Sequence, residues 1–342
     1  MAYTTVNKSG DYFNTKLYAG TGSSNSVTGV GFQPDFTWIK QRNGLSENHA
    51  LFDVVRGVTK YVKSDETASE VTEASSLSAF GTDGFTVVSS GKTNTSGRNY
   101  ASWNWKAGGS ASTNNDGSTA CSLSANATAG FSVSTHTVPS GNYTIGHGLG
   151  KKPKLVITKH TSTTGNFQTY FEGIGTENQQ YLQLNTEAAL ANHSGLWGTG
   201  MTTSVVGLSN TALSAGTTAI TYSFAEIPGY SHFGTYTGNG NANGPFIYTG
   251  FKPAFIITKI YSHTDGWSIT DSVRDLAVAP NGARNIANDS QAEQTNETWA
   301  LMEKYSNGFK IKGTDNVTNA DGRTYIYIAI GQSIVGTNNT PA

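Results

Sequence analysis

The chain has 342 residues, with 22 Lys and Arg against 23 Asp and Glu and a formal net charge of −1. Charged residues make up only 13% of it, about half the share of an ordinary soluble domain, so Ser, Thr, Asn and Gly must make the surface polar. That balance leaves no basic footprint for nucleic acid and no polybasic anchor for a membrane surface, and the length points to roughly two or three domains.

The first residues, MAYTTVNKSGDYFN, carry neither the basic segment nor the apolar stretch of a secretory signal, and no run is long and apolar enough to insert in a membrane. Synthesis in a cytoplasm is expected. Residues 1–10 read as a polar N-terminal arm, a candidate to dock into a partner. A first unit follows at 11–109. Its segment GFQPDFTWIKQR, 31–42, reads as a turn feeding a strand, with Pro34 stiffening the start and Phe32 packing inward. DVVRG, 53–57, sets Asp53 and Arg56 close enough to share an ion pair, or for the guanidinium to satisfy buried carbonyls; a ligand clamp is the functional alternative. SDETASEVTEASSL, 64–77, is the first helix candidate, with Ser64 as its cap. TNTSGRNY, 93–100, reads as a hairpin loop in which Gly97 supplies a positive φ beside Arg98. In Ser102–Lys106 the alternation places Trp103 and Trp105 on one face.

Residues 110–126 are Ser-, Thr- and Asn-rich and read as a linker. They hold Cys121, the one cysteine, which excludes an intrachain disulfide and a multi-cysteine metal site. Nothing basic lies nearby to lower its pKa, so an inert thiol is expected. A second unit, 127–229, opens with GLGKKPKLVITK, 148–159, and closes with TAITYSFAEIPG, 218–229. It lacks the Asp-x-Val-Arg and Gly-Arg-x-Tyr signatures.

The third unit, 230–333, restates the first in the same order: GFKPAFIITKIY at 250–261, DSVRD at 271–275, NGFKI at 307–311 and TNADGRTY at 318–325. Pro34, Asp53, Arg56 and Arg98 thus recur as Pro253, Asp271, Arg274 and Arg323, and residues that recur this way are read as features of the fold. A second helix candidate, NDSQAEQTNETWALM, covers 288–302, and residues 334–342 form a C-terminal tail. Short runs rich in β-branched and aromatic residues, bounded by Gly, Pro and Asn, predict an all-β protein. The expected architecture is three tandem β-sandwich (jelly-roll-like) units with few short helices.

No catalytic constellation emerges. The seven histidines have no metal-ligand spacing, and no GxSxG elbow, P-loop or dinucleotide fingerprint is present. Acidic pairs such as Asp65 and Glu66 follow from composition. No enzyme activity, no cofactor and no metal are expected.

The run DYFNTKLYAGTGSSNSVTGVGFQPDFTWIKQR, with LFDVVRGVTKYVKSDETASEVTEA, SAFGTDGFTVV and YASWNWKAGG, resembles a β-rich domain of marine bacteriophage structural proteins. It covers nearly all of the first unit and much of the third. The resemblance implies a virion component made in the host cytoplasm, a tail fibre or spike-type receptor-binding protein or else a capsid decoration protein. Its partners would be other virion proteins and a host surface polysaccharide or receptor, and fibre-like proteins imply a homo-oligomer such as a trimer, a form that three tandem units can also mimic within one chain. Candidate ligand contacts are aromatic groups in apparent loops: Trp197, Tyr230 with His232, and Trp267.

Overall fold

The computed structural model describes residues 4–44, 46–274, 282–295 and 301–331. The first unit contains β1 (Phe13–Ala19), β2 (Asn25–Thr28), β3 (Phe36–Gln41), β4 (Ala50–Asp53), β5 (Lys60–Tyr61), β6 (Val71–Thr72), β7 (Leu77–Gly81), β8 (Gly84–Val87) and β9 (Asn99–Trp105). Then follow β10 (Ser112–Asn114), β11 (Cys121–Asn126), β12 (Phe131–Thr137), β13 (Asn142–Gly146), β14 (Leu155–His160), β15 (Gln168–Phe171), β16 (Gln180–Gln183), β17 (Ala191–Asn192), β18 (Val205–Ser209) and β19 (Thr218–Phe224). The last unit holds β20 (Ser231–Thr237), β21 (Phe246–Tyr248), β22 (Pro253–Ile260), β23 (Trp267–Asp271), β24 (Asn285–Ile286), β25 (Met302–Tyr305), β26 (Gly308–Ile311) and β27 (Thr324–Gly331). The protein is all-β.

Every unit has the same antiparallel main sheet, ordered β1-β9-β3-β4, β12-β19-β14-β15 and β20-β27-β22-β23. The middle unit has lost the sequence signatures and kept the topology. A smaller sheet covers one face of each main sheet: β2-β8-β7, β13-β18 and β21-β26-β25. Between the two layers lies a local core, built around Ile39 and Phe85 in the first unit, Val156 and Leu208 in the second, and Ile256 and Phe309 in the third.

The opposite faces of the three main sheets meet in one common core. Successive residues of a strand point to opposite sides, and here both sides are buried, which explains runs such as FTWIKQ with all six residues buried. Phe36 and Trp38, Leu155 and Ile157, and Phe255 and Ile257 face this centre, joined by Trp103, Trp105, Tyr222, Phe224, Ile328 and Ile330. An apolar cavity of about 30 Å³ lies among them. With no polar group to hold a water, such a space stays dry.

The same central rows end in lysines: Lys40, Lys159 and Lys259, all buried. Each donates to a carbonyl of its own following loop, at Glu47, Gly165 and Asp265. Each also donates to a carbonyl of another unit: Lys40 to Ser290 at 2.6 Å, Lys159 to Thr67 at 3.0 Å and Lys259 to Glu187 at 3.0 Å. Three residues further on, the same arms pair by backbone, Glu293 N to Arg42 O at 2.9 Å, Glu70 N to Thr161 O and Leu190 N to Tyr261 O both at 2.8 Å. Unit 1 therefore reaches onto unit 2, unit 2 onto unit 3 and unit 3 back onto unit 1. The three units form one closed ring with approximate threefold repetition.

Several expectations are corrected. Residues 4–10 are no free arm: Val6 is buried in the common core and Thr5 donates to Thr128 O. Residues 110–126 are not a bare linker, because β10 and β11 extend the second unit's sheet. Segment 64–77 is an arm with the short β6 rather than a helix: Glu70 N donates to Thr161 O and Thr67 O accepts from Gly165 N in the neighbouring unit, Glu73 N donates to Thr59 O, and the turn bonds Glu66 N to Lys63 O and Ser76 N to Glu73 O stay isolated. The described part of 288–302 also holds no helix, and 296–300 lie outside the described residues. Among the described residues the α-helices are the single turns α1 (Gly91–Asn94) and α2 (Asn316–Asn319). Gly97 and Gly322 do have positive φ, 75° and 66°, but they join those helical turns to β9 and β27 instead of closing hairpins. Residues 1–3, Asp275 and the tail 334–342 lie outside the described residues.

Candidate functional site

The proposed ligand contacts do not converge, and burial corrects most of them. Trp197 is fully buried, its indole donating to Gln180 O at 2.8 Å with Tyr170 edge-on at 5.7 Å. Trp267 opens β23 in the common core and donates to Gln183 O at 3.0 Å. Tyr230 is buried in the same core against Tyr12. His232 is half-buried, stacked on Tyr327 with its Nδ1 2.8 Å from that hydroxyl. Flanking Gly and Ser make these segments look like exposed loops, and Trp197 and Tyr230 do lie on turns, yet their rings and that of Trp267 point inward and are buried.

The repeated signature residues are structural. Pro34 precedes β3 and Pro253 begins β22, while Phe32 and Phe251 pack into local cores. The Arg56 Nε donates to Asp53 at 2.7 Å, and another guanidinium nitrogen reaches Leu51 O at 2.7 Å. Arg274 pairs likewise with Asp271 and with Ile269 O at 3.1 Å, and adds Glu293 at 2.9 Å. Tyr222 of the second unit donates to Asp53 at 3.1 Å, and Trp103 of the first donates to Asp271 at 2.9 Å. These pairs join units. The second unit replaces them with Phe171 and Ile174, both in the common core. Arg98 and Arg323 are half-buried on the turns before β9 and β27.

What the structure exposes is different. Among the described residues the large exposed hydrophobic side chains are Phe246 (47%), Tyr248 (62%), Val273 and Tyr305 (41%), and three of these four share the outer face of the third unit's small sheet. The ladders fix them on a grid. Tyr248 and Tyr305 flank Gly308 from either side, and in the next row Phe246 and Glu303 flank Lys310. Phe246 leans over the glycine: a Cβ on Gly308 would sit 2.9 Å from its Cζ. Its ring meets Tyr305 edge-on at 5.9 Å. The glycine is set by the backbone, since a Cβ there would also collide with Ile247 O, and the space it leaves is what the Phe246 ring covers beside Tyr305.

The rim is polar and its charges are engaged. Lys310 donates to Asn243 Oδ1, and Lys312 lies 4.0 Å from Glu303. The Tyr305 hydroxyl donates to the Glu303 carboxylate, which raises its pKa by stabilising the protonated phenol. The platform thus carries little charge, Glu303 against Lys310 and Lys312, with acceptors and donors at its edge.

The other units show what this position looks like without the rings. In the first unit the same lattice carries Thr28, Gly84 and Gly81 in one row and Ser26, Thr86 and Ala79 in the next. The second unit places Thr144 opposite Gly207. The residues shared by DGFTV, 83–87, and NGFKI, 307–311, mark the common fold. The differences around them, Ser26 for Phe246 and Thr28 for Tyr248, were the signal.

No helix among the described residues is long and apolar enough to cross a membrane. A family model described as a domain of unknown function (DUF7483) matches residues 8–333, spanning all three units in one stretch. No curated protein and no solved structure matches the chain.

Proposed function

The chain belongs to the DUF7483 family, and on its geometry we propose that it is a non-catalytic surface-recognition protein, the attachment component of a bacteriophage virion of tail fibre or spike type. The observation that carries this reading is the aromatic platform on the third unit, set where the first unit has Ser26, Thr28 and Gly81 and the second has Asn142 and Thr144. Exposed rings cost solubility and are kept where they meet something. The ring of units supplies a rigid mount, so the platform loses little entropy on binding. A sparsely charged surface suits contacts that persist in salt. The virion setting is taken from the resemblance of the first and third units. It entails assembly in the host cytoplasm and contact with other virion proteins, with no nucleic acid, metal or cofactor.

A second reading, decoration of the capsid head, is favoured by the threefold closure, which matches the symmetry of a threefold position on a shell. Gold-labelled antibody on intact virions separates the two. Label on the tail or its appendages supports attachment. Label spread over the head supports decoration, and particles without label overturn both.

A further inference from the structure

We propose that the Phe246, Tyr248 and Tyr305 platform binds a neutral polysaccharide; the inference rests on the recognition reading and names its ligand class. Tyr248 and Tyr305 stand on the two outer strands of a three-stranded sheet, which puts their strands about 9–10 Å apart. The rings therefore form a strip, not a point. A chain of pyranose rings presents a C–H face that rests on the electron-rich faces of aromatic rings, and its hydroxyls exchange hydrogen bonds at the edges. The edge groups are in place: the Glu303 carboxylate, the Tyr305 hydroxyl and the Asn243 amide.

Charge argues for a neutral ligand. Glu303 stands across the ladder from Lys310 and 4.0 Å from Lys312, which leaves at most one net positive charge beside the rings, far short of the field that holds a polyanion. Size argues against a protein. Three rings beside a polar rim make a patch well below the roughly 800 Å² per partner of a stable protein interface.

The test uses the full chain on an array of neutral and anionic glycans, with the variant Phe246→Ser/Tyr248→Thr/Tyr305→Gly as comparison. Those replacements are the first unit's own residues at the same lattice positions, so folding is expected to survive. Tyr248→Thr alone, at the most exposed ring, is the companion variant should the triple one misfold. The expected result is binding to neutral glycans that added salt does not weaken, reduced roughly tenfold or more in the triple variant, each ring contributing a factor of about two to ten. Binding to anionic glycans only, binding unchanged in the variants, or no binding on the array overturns the proposal. So does a wild type that dimerises through the platform while the triple variant stays monomeric in light scattering. Beads coated with each chain, offered to host cells, keep the two readings apart. A blank array with adsorption lost in the variant refutes the glycan class and leaves recognition standing; adsorption unaffected by the variant refutes both.

Discussion

Arg56 and Arg274 show how much one residue can signify when a sequence repeats itself. Each guanidinium is buried and tied both to its aspartate and to a carbonyl of its own unit. Removing it leaves Asp53 or Asp271 charged, buried and partly unpaired, which costs about 3–5 kcal/mol. Arg56→Ala and Arg274→Ala are each expected to lower stability by that order in urea titration, with glycan binding unchanged. Unchanged stability with lost binding would return these residues to a ligand clamp. The second unit suggests the rescue: Asp53→Phe with Arg56→Ile, copied from Phe171 and Ile174, is expected to recover most of the loss. Cys121 gives a second residue-scale prediction. Burial pushes its thiol up to about 11, so a disulfide reagent at pH 8 is expected to react slowly with the folded chain and fast in denaturant. These roles were legible because identity at fixed spacing marks a fold-determining residue. Trp197 and Trp267 were misread because a tryptophan beside glycines carries no sign of which way its ring turns.

At the scale of elements, the strand runs FTWIK, LVITK and FIITK were plain from their β-branched and aromatic composition, but the lysine that ends each was not. Read alone, a lysine after a strand is a solvated boundary. In the ring it is the third residue of a central row, and its ammonium clasps a loop to an arm. Burial lowers all three lysines to about 8, against roughly 10.4 unfolded. Between these values the unfolded chain holds protons that the folded chain has released, so stability rises with pH, by up to about 1.4 kcal/mol per pH unit for each lysine. Above about pH 10 the sign reverses. Tyrosines ionise in the unfolded chain, while burial raises those of the folded chain, Tyr222 and Tyr236 among them. On the acid side His49 and His136 are held below the usual imidazole value by burial, the latter at about 4, so stability is lost as pH falls below roughly 6.5. Melting temperature against pH should climb from 5 to 7, climb again from 8 to near 10, and then drop. Lys159→Met should remove about a third of the upper climb; a flat profile from 8 to 10 in the wild type would contradict the assignment.

For the whole molecule, repetition in the sequence announced three units but left open whether they stand in a row or close on themselves. The closing contacts are largely hydrogen bonds to backbone carbonyls and rows of side chains whose chemistry differs between units, such as Trp103, Tyr222 and Ile328; the carbonyls and the varied rows leave no motif, and the recurring lysine shows a donor without its partner. The consequence is testable because a row of sandwiches and a ring unfold differently. A unit cut at 11–109 would expose the central faces of Phe36, Trp103 and Trp105, which in the ring meet Phe131, Tyr222, Phe224 and Phe255. It would also leave the Lys40 ammonium without Ser290. The isolated unit is therefore expected to lack cooperative unfolding and to expose apolar surface to a hydrophobic dye. The full chain should unfold in one calorimetric transition with van't Hoff and calorimetric enthalpies equal, despite a length at which separate domains are the norm. Arg42 and Glu293, whose paired hydrogen bonds of 2.9 and 2.8 Å join the last unit to the first, provide the finer probe. If closure couples the units, Glu293→Ala lowers the single transition as a whole, through the lost bridge to Arg42 and the lost contact with Arg274. If the units are independent, it splits off a low-melting step and leaves the rest in place, and the ring is then only a packing arrangement of three separate domains.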